Sequence, residues 1–183
     1  VKVCAQQAKL IESHIEKVGE ILKSTDYKIA CLAPSFPAAF DGVSPGKIVS
    51  AAKRLGFDEM MEIAFGAQLI SEEYQRLVSS NHQLSIIASA CPALVILIEK
   101  HFPELLEYLA PIVSPMIALG RAIKYGHRSD ARVVFIGPCI AKKEEMKDEN
   151  VAGVVDAVLT FREFKEMLSA RGIEITDCEE LPF

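Results

Sequence analysis

Arg132-Val133-Val134-Phe135-Ile136, running straight into Gly137-Pro138-Cys139, is the stretch on which the fold turns. A short apolar run rich in β-branched residues and stopped by a Gly-Pro pair reads as a strand. Tyr27 to Ala33, stopped by Pro34, has the same form, and so do Met60 to Phe65, Leu84 to Ala88 and Ala157 to Leu159. Between these runs lie stretches with helical spacing. Ile11, Ile15, Val18 and Leu22 predict an amphipathic helix over 5–24. Ser44-Pro45 and Ser114-Pro115 each pair a capping hydroxyl with proline at the first helical position, and Thr160 caps a helix that closes at Gly172. Further helices are expected over 67–79, 92–101 and 103–109.

Strands alternating with helices imply parallel strands joined by right-handed crossovers. The expectation is an α/β domain, a parallel β-sheet flanked by helices. In such sheets the ligand crevice lies outside the carboxyl ends of the strands. Ala33-Pro34-Ser35, Phe65-Gly66, Ala90-Cys91-Pro92 and Pro138-Cys139 all fall just past expected strand ends. Cys91 and Cys139, 48 positions apart, are therefore expected to meet at one edge.

Composition narrows the function. The chain has 183 residues, half of them apolar and a quarter charged, with a formal net charge of −5. That balance argues against nucleic acid, which wants a clustered basic face. The longest strongly apolar stretch, Ile86 to Ile98, is 13 residues and too short to span a bilayer. No secretory signal is visible. Five widely spread cysteines (Cys4, Cys31, Cys91, Cys139, Cys178) argue against a disulfide framework and for a reducing cytoplasm. Each on its own reads as a small buried hydrophobe. Cys91 and Cys139, each beside a proline at the crevice, read instead as soft ligands for zinc or iron–sulfur. A cysteine-nucleophile enzyme or a metal-free α/β binding domain remains open at this point.

The surrounding residues carry a resemblance. Ser89-Ala90-Cys91-Pro92, Phe102-Pro103-Glu104-Leu105 and Ser114-Pro115 resemble successive motifs of the iron-only (FeFe) hydrogenase active-site domain, Thr-Ser-Cys-Cys-Pro, Tyr-Pro-Glu-Leu and Lys-Ser-Pro-Gln. Gly137-Pro138-Cys139-Ile140-Ala141-Lys142-Lys143-Glu144-Glu145 is similar to that family's Met-Pro-Cys-x-x-Lys-Lys-x-Glu. The likeness runs from about residue 28 to 175. It implies that Cys91 and Cys139 are two ligands of the four-iron half of an H-cluster, a 4Fe-4S cluster joined to a diiron unit. It implies that Lys142 hydrogen-bonds a cyanide on the diiron half, and that Ala33, Pro34, Ser35, Pro115 and Pro138 wall that pocket. Lys143 reads as part of a solvated charged turn.

The departures from the family matter equally. Catalysts of the family carry a proton-relaying cysteine where this chain has Ala90, and alanine cannot relay a proton. Ala110 replaces a serine, Gly137 a methionine, Val113 a lysine and Met116 a glutamine. Weak or no hydrogen turnover is expected, as in the sensory branch of the family. The alternatives are a portion of an active hydrogenase and a non-catalytic assembly-type module. Val3-Cys4-Ala5-Gln6-Gln7-Ala8 resembles the tail of a bacterial ferredoxin motif, which would make Cys4 a ligand of a separate cluster.

Residues 1–26 thus read as that tail plus a linking helix, and 27–183 as the hydrogenase-like domain, truncated before the family's last cluster-binding motif. The chain is expected to be an excised middle piece that carries no intact cluster alone. Its partners would be a ferredoxin-like region and PAS or kinase modules in the same polypeptide. Cys178, among acidic residues, reads as an exposed thiol, and the four histidines as solvated.

Overall fold

β1 (Lys28–Leu32) is buried along its whole length and pairs on both sides, which is why its sequence after Lys28 is apolar without alternation. The computed structural model describes residues 10–80 and 85–183. Its sheet has the order β2-β1-β3-β4, with β2 (Glu59–Glu62), β3 (Arg132–Gly137) and β4 (Ala157–Thr160) all parallel to their neighbours. Register is set at Ile29, which stands opposite Glu59 on one side and Val133 on the other.

Seven α-helices surround the sheet among the described residues: α1 (Ile15–Lys23), α2 (Pro45–Leu55), α3 (Ile63–Ser80), α4 (Pro92–His101), α5 (Pro115–Ala122), α6 (Lys142–Glu145) and α7 (Phe161–Ala170). Phe164, Ile29, Leu32, Ile48, Leu55 and Ile136 are fully buried between sheet and helices. The parallel α/β fold stands as expected, with four differences of physical interest.

Over 85–88, the described part of the run expected at 84–88, the chain does not join the sheet. Leu84 lies outside the described residues, and over 85–88 only Ile87 pairs, in an isolated parallel bridge to Leu109. Ile86 and Ile87 are half-buried there, and Ser85 and Ala88 are exposed. The strand expected over 60–65 ends at Glu62, because Ile63, Gly66 and Ile70 form the buried face of α3. A Cβ at Gly66 would lie 2.3 Å from the Pro115 carbonyl and 3.0 Å from Leu119 Cβ, so glycine is what lets α3 lie against α5.

The first helix is shorter than its periodicity suggests. Residues 10–14 are not helical, and residues 5–9 lie outside the described set. His14 is engaged elsewhere: its ring accepts from the Val158 amide, and its own amide donates to Glu163. Finally, the Ser44 hydroxyl caps nothing, since it donates to Glu180. Thr160 does cap α7, in a box with Glu163 in which the Glu163 amide reaches Thr160 Oγ1 at 3.1 Å and the Thr160 amide reaches Glu163 Oε2 at 2.7 Å.

Candidate metal centre

The ends of β1 and β3 lie side by side, joined where the Ala33 amide donates to the Ile136 carbonyl at 2.8 Å. Ala33 is buried there, while Pro34, Ser35 and Pro138 are exposed. No side chain fits at Gly137. A Cβ would stand 2.5 Å from the Phe135 ring and 2.9 Å from Ala33 Cβ, so the Phe135 ring fills the space that the family's methionine would need. Cys139 follows, half-buried, and the chain turns into α6. Lys142 is only 8% exposed. Its Nζ donates to Glu145 Oε2 at 2.7 Å and to the Ala90 carbonyl at 3.4 Å.

That last contact joins the two motifs. Cys91 is the residue immediately before α4 and is exposed; it does not sit at the end of a sheet strand, contrary to expectation. What positions it is α3 and the segment over 103–112. Ser89 donates its amide to Tyr74 Oη at 2.9 Å, and its hydroxyl donates to the Ile112 carbonyl. The Ile87 amide reaches the Tyr108 carbonyl at 2.7 Å, and the Ala110 amide returns to Ile87 at 2.8 Å. Pro115 is half-buried at the start of α5, against Gly66, and the neighbouring Ser114 is buried. Behind the Cys91 turn lies a cleft of about 680 Å³ with Ser89, Pro92, Val95, Ile112, Ser114 and Glu145 in its wall. Ala90 and Ala110, each next in sequence to a residue of that wall, carry no titratable group.

Several residues are placed differently from the sequence reading. Lys143 is 2% exposed, not solvated, and pairs with Glu163 at 2.7 Å. His14 is 3% exposed; burial first and then the nearby Lys143 ammonium hold its pKa below the usual imidazole value. Cys178 is buried too. Its thiol donates to the Glu174 carbonyl and accepts from Arg54 Nη1, each at 3.4 Å. Cys31 lies in the middle of β1, and burial pushes its thiol well above the ordinary range, which makes it an inert core residue. His101 is exposed and His127 meets Glu59 at 3.3 Å, whereas Cys4 and His82 lie outside the described residues.

A four-iron cluster takes four thiolates. Among the described residues no group of three or more His, Cys, Asp or Glu side chains converges on a metal site. Cys91 and Cys139 are the two thiols among the described residues that are not buried, and two thiols by themselves do not complete such a set.

The chain's sequence matches the profile of the iron only hydrogenase large subunit, C-terminal domain, over residues 26–183. It is 32% identical to iron hydrogenase 1 of Clostridium pasteurianum over 193 aligned residues, covering 92% of this chain and 34% of that protein. It is 27% identical to the cytosolic Fe-S cluster assembly factor NAR1 of Yarrowia lipolytica, covering 80% of this chain and 34% of that one. In fold it is similar to an apo [FeFe]-hydrogenase HydA1 variant from Chlamydomonas reinhardtii, with a TM-score of 0.83 at 24% identity over 92% of this chain and 50% of that chain. The chain thus spans about a third of these curated relatives' length and half of that solved chain.

Proposed function

Because the chain belongs to the family of C-terminal domains found in the large subunits of iron-only hydrogenases, we propose that it is the iron–sulfur-binding portion of a hydrogenase-like redox or sensory protein with weak or no hydrogen turnover. One observation carries this reading. The Lys142 ammonium reaches the carbonyl of Ala90, so the residue before Cys91 and the turn after Cys139 are held together although they are remote in sequence. Thiolates are soft ligands for iron, and the Lys142 ammonium, paired here with Glu145, is a point charge that an anionic iron–sulfur species would compete for.

In this reading Cys91 and Cys139 supply two of four thiolates, and the others come from outside the described residues. Lys142 holds an anionic ligand as a point charge, and Ala33, Pro34, Ser35, Pro115 and Pro138 belong to the surrounding wall. When bound, an H-cluster-type group supplies reversible oxidation of hydrogen to protons and electrons. The protein is proposed to work in the cytoplasm, joined in one polypeptide to a ferredoxin-like region, in which Cys4 holds a separate cluster, and to a PAS or kinase module.

Weak turnover is the consequence of Ala90, which has no proton to give beside Cys91. In the full-length protein with its cofactor inserted, Ala90→Cys is expected to speed hydrogen evolution by about 10²–10⁴-fold, the usual worth of general acid–base help. A wild-type turnover already equal to that of the family's catalysts would refute the assignment. The match to an iron–sulfur assembly factor over most of the chain supports a second reading, a non-catalytic assembly module. Under that reading iron and sulfide are bound, yet Ala90→Cys evolves no hydrogen.

A further inference from the structure

We propose that Lys143 is a positioning residue: its ammonium, seated in the carboxylate of Glu163, fixes the turn after Cys139 and thereby fixes where Lys142 reaches. The function of Lys142 rests on the reading above; the anchoring of Lys143 does not.

Two successive lysines are buried, and they go to different partners. Lys142 turns to Ala90 and Glu145. Lys143 donates to Glu163 Oε1 at 2.7 Å and to the Glu12 carbonyl at 2.6 Å. The socket is itself rigid. Glu163 Oε1 also accepts the His14 amide at 3.2 Å, and Oε2 accepts the Thr160 amide at 2.7 Å and the Thr160 hydroxyl at 2.8 Å. Burial alone would raise this carboxyl's pKa, but hydrogen bonds from Lys143, Thr160 and His14 outweigh it and hold the group at about 2. Thr160 is fixed by β4, and the His14 ring by the Val158 amide of the same strand.

Helix α6 has only four residues and cannot hold itself, since one turn fixes several dihedrals for a single hydrogen bond. An anchor from outside is therefore required. A buried ammonium leaves its partner only at a cost of several kcal/mol, so Lys143 determines the turn rather than following it. The Lys-Lys doublet divides its work, with one lysine held by the core and the other presented to the cysteine crevice.

The test is competitive acetylation of lysines in the folded, metal-free chain, read by peptide mass spectrometry, with carboxymethylation of Cys139 measured alongside. In the wild type, Lys142 should label at least about tenfold more slowly than the exposed Lys147, because its amine must first escape a buried pair. In Lys143→Met and in Glu163→Gln, labelling of Lys142 and Cys139 should rise about tenfold or more, the loss of a charge-assisted anchor being felt as local opening. Lys124, paired with Asp156 at 3.0 Å elsewhere in the fold, should not change. Glu163→Gln keeps the shape of the socket and stays informative if Lys143→Met does not fold. A lowered melting temperature with Lys142 and Cys139 labelling in the folded variants no faster than in the wild type would overturn the proposal. So would a wild-type Lys142 as reactive as Lys147. No metal takes part in these readouts, so they are independent of whether the iron–sulfur reading stands.

Discussion

The two cysteine-bearing segments, joined by the Lys142–Ala90 contact, are held by unlike means. Cys139 follows the buried strand β3 by two residues, and the turn after it is clamped by the Lys143–Glu163 pair. Cys91 stands outside the sheet, carried by one isolated bridge and by the contacts of Ser89 with Tyr74 and Ile112. Around it Leu94, Leu97, Phe102 and Leu106 are exposed. One half of the site is prebuilt by the core, and the other is set by a few polar contacts and the reach of Lys142. Stability and reactivity should therefore divide between the halves.

The largest effect belongs to the clamped half. Glu163→Ala strands the Lys143 ammonium in the interior and should cost about 3–5 kcal/mol in denaturant unfolding. A loss below about 1 kcal/mol, the level of an exposed pair, would remove the contrast. Acid should act on the same cluster. Glu163 sits at about 2 in the folded protein against 4.5 as its ordinary value, so its contribution is present above pH 4.5 and lost as pH falls toward 2. His14 is held neutral below the ordinary 6.5, so its contribution is present above pH 6.5 and declines below it as the unfolded chain takes up the proton. Stability should thus begin to fall below pH 6.5 and drop by a further amount on the order of 2 kcal/mol below pH 4.5. Glu163→Gln should abolish the lower of these two phases.

The Cys91 half should respond more weakly. Tyr74→Phe removes the acceptor for the Ser89 amide and should cost about 0.5–1.5 kcal/mol, with faster hydrogen exchange at Ser89 and unchanged exchange in β3. Leu97→Ser, on the exposed face of α4, should stay within about 0.5 kcal/mol of wild type. Accelerated exchange spread into β3 by Tyr74→Phe would mean that the halves are a single unit.

Legibility in the sequence follows the same division. β1, β3 and β4 can be read because strands buried on both faces are apolar throughout and are stopped by Pro34, Gly137-Pro138 and Thr160. Over 85–88 the chain has the same composition but, among the described residues, pairs only through Ile87, and pairing is not written in local pattern. Lys142 is visible only through its motif. Lys143, His14 and Cys178 read as solvated yet are buried, because charge and thiol burial depends on partners far along the chain, such as Glu163 for His14 and Arg54 for Cys178. The Thr160 to Glu163 capping box is the one available signal for that cluster, and it shows only half of what Glu163 does.

The central proposal is that the Cys91 and Cys139 thiols lie within bridging distance of one another, their segments being joined by the Lys142–Ala90 contact. It is tested most directly by treating the folded chain, with Cys4→Ser, with a short thiol-bridging reagent and sequencing the linked peptides. Cys31 and Cys178 are buried and should stay unreacted. The predicted product is a single intramolecular bridge between Cys91 and Cys139. Separate one-ended adducts on the two cysteines, with no bridged peptide, would contradict the account.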